Sequence, residues 1–212
     1  MTEDAPGSAA SDMPTTPSDV VRMFPLMLNV TTIPIIAAGG DGVASRVIAL
    51  DEHGATNVHV FSEAPTPELM AAAGPRLHRR WPTEADFARI RPKLVFVADV
   101  DDAFAASLGK LGRSVGAFVH VQDRVPLCDF HLPARLRRGH LQITVSTDGT
   151  AAGLARHIRA YLEAHIFGPE WAGHVAEVAA ARGKWKREGL TFVGLGKAVA
   201  DLVAARGWLK KP

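Results

Sequence analysis

Thr32-Ile33-Pro34-Ile35-Ile36-Ala37-Ala38-Gly39-Gly40-Asp41-Gly42-Val43-Ala44 sets a short apolar run directly before a glycine-rich turn. A run of this length, bounded by turn residues, is the pattern of a strand buried on both faces of a parallel sheet. From Gly42 to His53 the apolar residues Val43, Val47, Ile48 and Leu50 fall at helical spacing, and Gly54 is placed to stop the helix. Val58 to Phe61 then supplies a second strand. Strand, glycine turn, helix and strand between Val30 and Phe61 read in the order that opens a dinucleotide-binding unit. In its fingerprint, G-x-G-x-x-G/A, the first glycine makes the tight turn, the second lets backbone meet phosphate, and the last small residue lets helix pack on strand. Gly39 and Ala44 fill the outer roles, while Asp41 puts a carboxylate into the middle one. At a helix N-terminus that carboxylate competes with a pyrophosphate for the same N–H groups and repels it.

Past the second strand, Glu68 to Ala73 reads as a short helix, and Pro82 to Ile90 as another with Thr83 as its cap and Asp86 in its first turn. Lys93 to Ala98 is a third buried strand, Ala103 to Leu111 a helix, and Ala117 to Val121 a fourth strand. Strands alternating with helices across short connections predict an α/β fold, a Rossmann-like doubly wound parallel sheet with right-handed crossovers. The pattern changes after Asp123. Pro126 to Pro133 is loop-like, Ala134 to Arg138 is expected to form one helical turn, and Leu141 to Val145 alternates as a half-buried strand does. An amphipathic helix is expected over Ala151 to Ile166, with Leu154, Ile158, Tyr161, Leu162 and His165 on one side, then helices over Glu170 to Arg187 and Gly196 to Arg206.

The 212 residues, 47% hydrophobic and 22% charged, suffice for a globular core. A net charge of +2 is too small to imply a nucleic-acid or membrane partner, and the longest apolar runs fall well short of a spanning helix. The single cysteine, Cys128, excludes an internal disulfide and a cysteine metal cluster and fits a reducing cytoplasm; it reads as a small packing residue. Met1 to Asp19 is rich in Ala, Ser, Thr, Pro and Asp without Lys or Arg, the composition of a disordered tail.

Met23-Phe24-Pro25-Leu26, the glycine turn, Ala98-Asp99-Val100-Asp101-Asp102, the stretch Val121 to Phe130 with Asp123 near its start, and Arg137-Arg138-Gly139 followed by a strand and Ser146-Thr147-Asp148-Gly149-Thr150 occur in an order that resembles one family. It is the precorrin-2 dehydrogenase and sirohydrochlorin ferrochelatase family, the N-terminal module of sirohaem synthases. The resemblance runs from about Met23 to Glu163. It implies a division into a tail (1–22), a Rossmann-like dinucleotide-binding domain (23–123), a dimerisation unit (124–150) and a small C-terminal helical domain (151–212) in a homodimer. It further implies NAD-dependent oxidation of precorrin-2 to sirohydrochlorin and, in some members, insertion of ferrous iron, so that Fe2+ would be a substrate.

By that resemblance Asp123 is the proton-transfer residue, and the metal-handling one in a chelatase. Dehydrogenation needs a base for the proton left when hydride departs, and the carboxyl ends of strands open onto the ligand crevice. The expected cofactor contacts are Gly39, Gly40, Asp41, Gly42, Val43, Val100 and Asp101, with Glu63 placed to hold a ribose hydroxyl. Thr147 and Ser146 are candidates for a substrate carboxylate, with helix capping before Ala151 as the equal alternative. Arg135, Arg137 and Arg138, with His131 and His140, form a basic patch suited to a tetrapyrrole ringed by carboxylates, since Arg pairs with carboxylates bidentately; Arg76, His78, Arg79 and Arg80 form a second. The chain departs from the family pattern at Asp41, Val100, Ala106, His120, Asp148 and Ala151-Ala152, around cofactor and substrate. Two alternatives therefore stay open on the same fold: an NAD-independent tetrapyrrole-binding protein or chelatase, and a non-catalytic assembly subunit.

Overall fold

The computed structural model describes residues 22–209; the expected tail, but for Arg22, and the last three residues lie outside them. Two compact units divide between His131 and Leu132. The first holds a five-stranded, wholly parallel sheet in the order β3-β2-β1-β4-β5, formed by β1 (Ile35–Gly39), β2 (Val58–Phe61), β3 (Leu77–His78), β4 (Leu94–Ala98) and β5 (Phe118–Val121). The chain reverses its direction of winding between β1 and β4, the switch point at which open α/β sheets bind ligands. β1 and β4 are buried along their whole length, as their unbroken apolar runs require. The pair β3 is an addition to the expected sheet; its two residues, Leu77 and His78, are too few to leave a periodic signal.

Four helices cover the sheet: α1 (Asp41–Asp51), α2 (Pro67–Ala73), α3 (Glu84–Ile90) and α4 (Asp102–Ser114). One core cluster joins Ile35, Ala37, Val43, Val47, Leu50, Phe96 and Ala98. The other, on the opposite face, joins Ile36, Ala38, Phe61, Phe87, Val95, Leu108 and Val119. The expected cap at Thr83 is present as a capping box: the Thr83 hydroxyl accepts from Asp86 N–H and the Asp86 carboxylate accepts from Thr83 N–H. The segment 124–131, expected in the dimerisation unit, belongs with the first unit. Asp129 N–H donates to Val119 O at 2.7 Å and its carboxylate accepts from Val119 N–H at 2.9 Å, clamping the segment to β5.

The second unit corrects one expectation outright. Ala134–Arg138 is a strand, β6, paired antiparallel with β7 (Leu141–Val145) through Arg138↔Leu141 and Leu136↔Ile143. A two-residue turn with Gly139 at φ +56° joins them, and the ladder of hydrogen bonds overrides the weak helical preference of Ala-Arg-Leu-Arg-Arg. Helices α5 (Ala152–His165), α6 (Trp171–Arg187) and α7 (Phe192–Arg206) follow. The last starts four residues before the expected position because Thr191 caps it, its hydroxyl accepting from Gly194 N–H.

Candidate active site

Gly39 closes β1 at φ +144°, where a Cβ would stand 1.8 Å from Ala98 O; only glycine lets the chain turn here against β4. The turn then enters α1, whose first N–H groups point out over the carboxyl edge of the sheet. One of them is engaged: Gly42 N–H donates to Asp99 Oδ2 at 2.6 Å. Asp99 follows β4 in the left-handed region, φ +55°, and its carboxylate lies against Gly40 as well, where an added Cβ would meet it at 3.1 Å. Gln122 closes the same space, its Oε1 lying 2.5 Å from the Cβ that Gly42 lacks. The carboxylate at the helix N-terminus is thus Asp99. Asp41, the residue the fingerprint singles out, is directed away, accepting a hydrogen bond from the hydroxyl of Thr66. Nothing in the sequence singles out Asp99 for this role, because the contact spans 57 positions and depends on a backbone conformation no local pattern announces.

Beside the turn lies a cleft of about 410 Å³ lined by Asp99, Val100, Asp102, Gln122, Asp123 and Arg124. Asp102 is held by Arg124 at 2.5 Å, and Arg124 also donates to Val100 O. Asp123, in the left-handed region at φ +58°, is exposed and has no hydrogen bond or ion pair among the described residues. Two groups act on it through space: Arg46 of α1 and His120 of β5. The His120 ring packs against both Phe96 and Phe130, with centroids 6.1 and 5.5 Å away, and its Nδ1 is 3.2 Å from Phe130 O. Burial pushes its pKa down to about 4, so the ring is neutral near pH 7, with Nδ1–H donating to Phe130 O.

The remaining expected residues separate. Asp101 caps α4, accepting from Phe104 N–H at 2.8 Å. Glu63 stands just past β2 as expected, and its Oε2 accepts from Trp81 Nε1–H at 3.0 Å. Val100 lines the cleft, and Val43 is fully buried in the core, so only its backbone faces a ligand. In the second unit the Thr147 hydroxyl accepts from Ala151 N–H and the Ser146 hydroxyl from Asp148 N–H, so both are engaged in shaping the turn before α5. The basic patch is divided by the strand: Arg135 and Arg137 lie on one face of β6, Arg138 on the other. Arg138 donates to Phe167 O and pairs with Glu163 at 3.0 Å, tying the hairpin to α5. Of the second patch, Arg76 pairs with Asp51 and Arg80 with Asp86. Cys128 packs under β5, with its Sγ 3.1 Å from Val121 O, and burial pushes its thiol pKa up; it has no nucleophilic setting. Asp123 belongs to no group of three or more His, Cys, Asp or Glu able to hold a metal among the described residues.

Residues 26–134 match the family described as "Putative NAD(P)-binding", and residues 138–165 the one described as "Sirohaem biosynthesis protein central". Siroheme synthase of Neisseria meningitidis serogroup C is 32% identical over 167 residues, 78% of this chain and 34% of that protein. The siroheme synthase of Actinobacillus succinogenes is 29% identical over 170 residues, 79% of this chain and 34% of that protein. The chain thus spans about a third of the length of these relatives. A solved structure titled SirC, precorrin-2 dehydrogenase, shares the fold with a TM-score of 0.66 at 16% identity, over 89% of this chain and 93% of that one. Among the described residues no helix is long and apolar enough to cross a membrane.

Proposed function

Because the chain belongs to this NAD(P)-binding family, which its residues 26–134 match over just over half its length, we propose that it is a cytoplasmic precorrin-2 dehydrogenase, forming sirohydrochlorin with NAD as oxidant. The observation that carries the reading is Asp123. It is the carboxylate of the cleft that remains unengaged, beside a glycine turn at the switch point of a parallel sheet. An open carboxylate at this place has lone pairs free for a substrate proton.

The residues present fit the nucleotide. Gly39 is a cradle that any side chain would fill, and the Gly42 N–H already binds an anion, the Asp99 carboxylate standing in for a phosphate oxygen. The backbone of Gly40, Asp41 and Gly42 would hold the pyrophosphate once Asp99 rotates away, and Glu63 the ribose. When bound, NAD accepts the hydride that leaves the macrocycle. Asp123 takes the accompanying proton, so that two electrons and one proton leave on the cofactor side and one proton on the carboxylate. Neutral His120, packed against the Phe96 and Phe130 rings, stands within electrostatic reach of that carboxylate. A homodimer is part of the proposal: Leu154, Ile158 and Tyr161 make an apolar row along α5 that is 38 to 60% exposed. Calorimetric titration of NAD tests the reading. Binding in the micromolar to submillimolar range, lost with a substitution that fills the turn such as Gly39→Val, supports it. Retained sirohydrochlorin binding with no NAD heat at millimolar concentration would replace it by the NAD-independent alternative.

A further inference from the structure

Most arginines near the sheet are committed. Arg80, Arg113 and Arg124 pair with Asp86, Asp129 and Asp102 at 2.6, 3.0 and 2.5 Å. Arg46 is different. Its Nε is buried with no hydrogen-bond partner, and no ion pair holds its guanidinium among the described residues. It projects from α1 five residues beyond Asp41, about 7 Å along the helix from the phosphate cradle, and its charge acts on both Asp123 and His120. His131 also acts on His120, and both its ring nitrogens are buried without a partner. Three of the four orphaned buried side-chain nitrogens among the described residues therefore belong to Arg46 and His131.

A guanidinium that is partly withdrawn from water without a counter-ion in contact is costly unless an anion completes it. Its five donors in a rigid fork select a planar, bidentate acceptor, and a carboxylate fits that fork. Asp123 acts on it only as a charge at a distance and, making no ion pair with it, leaves the fork open. We propose that Arg46 receives a carboxylate of the tetrapyrrole substrate, with His120 and His131 as the polar walls of this subsite, and thereby presents the macrocycle to Asp123. The assignment rests on the dehydrogenase reading and deepens it. Its place beyond the glycine turn favours the substrate's carboxylate over the nucleotide's phosphate.

The test measures sirohydrochlorin binding by absorbance and NAD binding by calorimetry on the whole chain and on Arg46→Gln and Arg46→Lys. Arg46→Gln is expected to weaken sirohydrochlorin binding about tenfold or more and to leave NAD affinity within about twofold. Arg46→Lys, which keeps the charge and loses the fork, is expected to fall between wild type and Arg46→Gln. It decides the matter if the glutamine variant unfolds, since affinity equal to wild type in either variant overturns the subsite. A parallel tenfold loss of NAD binding would assign the fork to phosphate and overturn it as well. A wild-type chain that binds NAD and no sirohydrochlorin would remove the substrate reading itself, and the subsite with it.

Discussion

Asp99 and Asp123 share one cleft, one conformation and one charge, yet their surroundings give them different work. Asp99 is engaged by the Gly42 N–H, so it is an internal competitor for the phosphate. Asp99→Asn is expected to tighten NAD binding about tenfold, worth about 1.4 kcal/mol, by removing a like charge; calorimetry showing equal or weaker binding would mean that Asp99 leaves at no cost. Asp41→Gly should give a smaller gain, because the Asp41 carboxylate is turned to Thr66. For Asp123→Asn, turnover is expected to fall about a hundredfold or more with NAD affinity kept, the mark of a lost proton acceptor. His120 predicts a pH dependence. Its folded pKa, about 4, lies below its ordinary 6.5, so the unfolded chain binds the proton more readily. Its contribution is present above pH 6.5 and is lost as pH falls toward 4, a few kcal/mol at most. Chemical denaturation of His120→Asn at several pH values should show a flatter slope across that window; an unchanged slope would place the titration elsewhere.

At the scale of elements, the periodicity of buried strands made β1, β2, β4 and β5 legible, since residues covered on both faces must be apolar whatever their neighbours. Thr83 and Asp86 were legible for the same local reason, each satisfying an orphan N–H of α3. Beyond its cap, Asp86 is buried and paired with Arg80, which holds its carboxyl well below the usual carboxylate range. Asp86→Ala is expected to destabilise the first unit by about 2 kcal/mol, seen as a lower unfolding midpoint near neutral pH. The stabilisation is present above the unfolded carboxylate value of about 4 and fades below it as the folded group protonates; an equal midpoint in the variant would show that Arg80 carries no net stability. β6 was not legible. Its residues read equally as a helical turn, and only pairing with β7, a non-local event, decides. The division of the arginine patch follows from that, because a strand sends Arg137 and Arg138 to opposite faces where a helical turn would keep them nearer one another. Asp99 and Arg46 escaped for a similar reason: one depends on a positive φ and a distant N–H, the other on the absence of a partner.

For the whole molecule, the two units differ in how completely each closes its own core. The first buries both faces of its sheet, whereas the second, among the described residues, buries only Leu136, Ala155 and Leu195 of its apolar residues and leaves Tyr161 60% and Phe192 86% exposed. Exposed apolar side chains of this kind favour self-association, and sedimentation is expected to show a dimer that Tyr161→Glu shifts toward monomer; a wild-type monomer at micromolar concentration would contradict the proposed assembly. The fold supplies a switch-point crevice, the cleft supplies an unengaged carboxylate, and the glycine turn supplies an anion-binding N–H now held by Asp99. Anaerobic mixing of the purified chain with precorrin-2 and NAD, following NADH by its absorbance, joins these in one reading. One NADH per sirohydrochlorin formed, suppressed in Asp123→Asn, is the result expected. Sirohydrochlorin appearing at the rate of the protein-free control, with no NADH, would contradict the account.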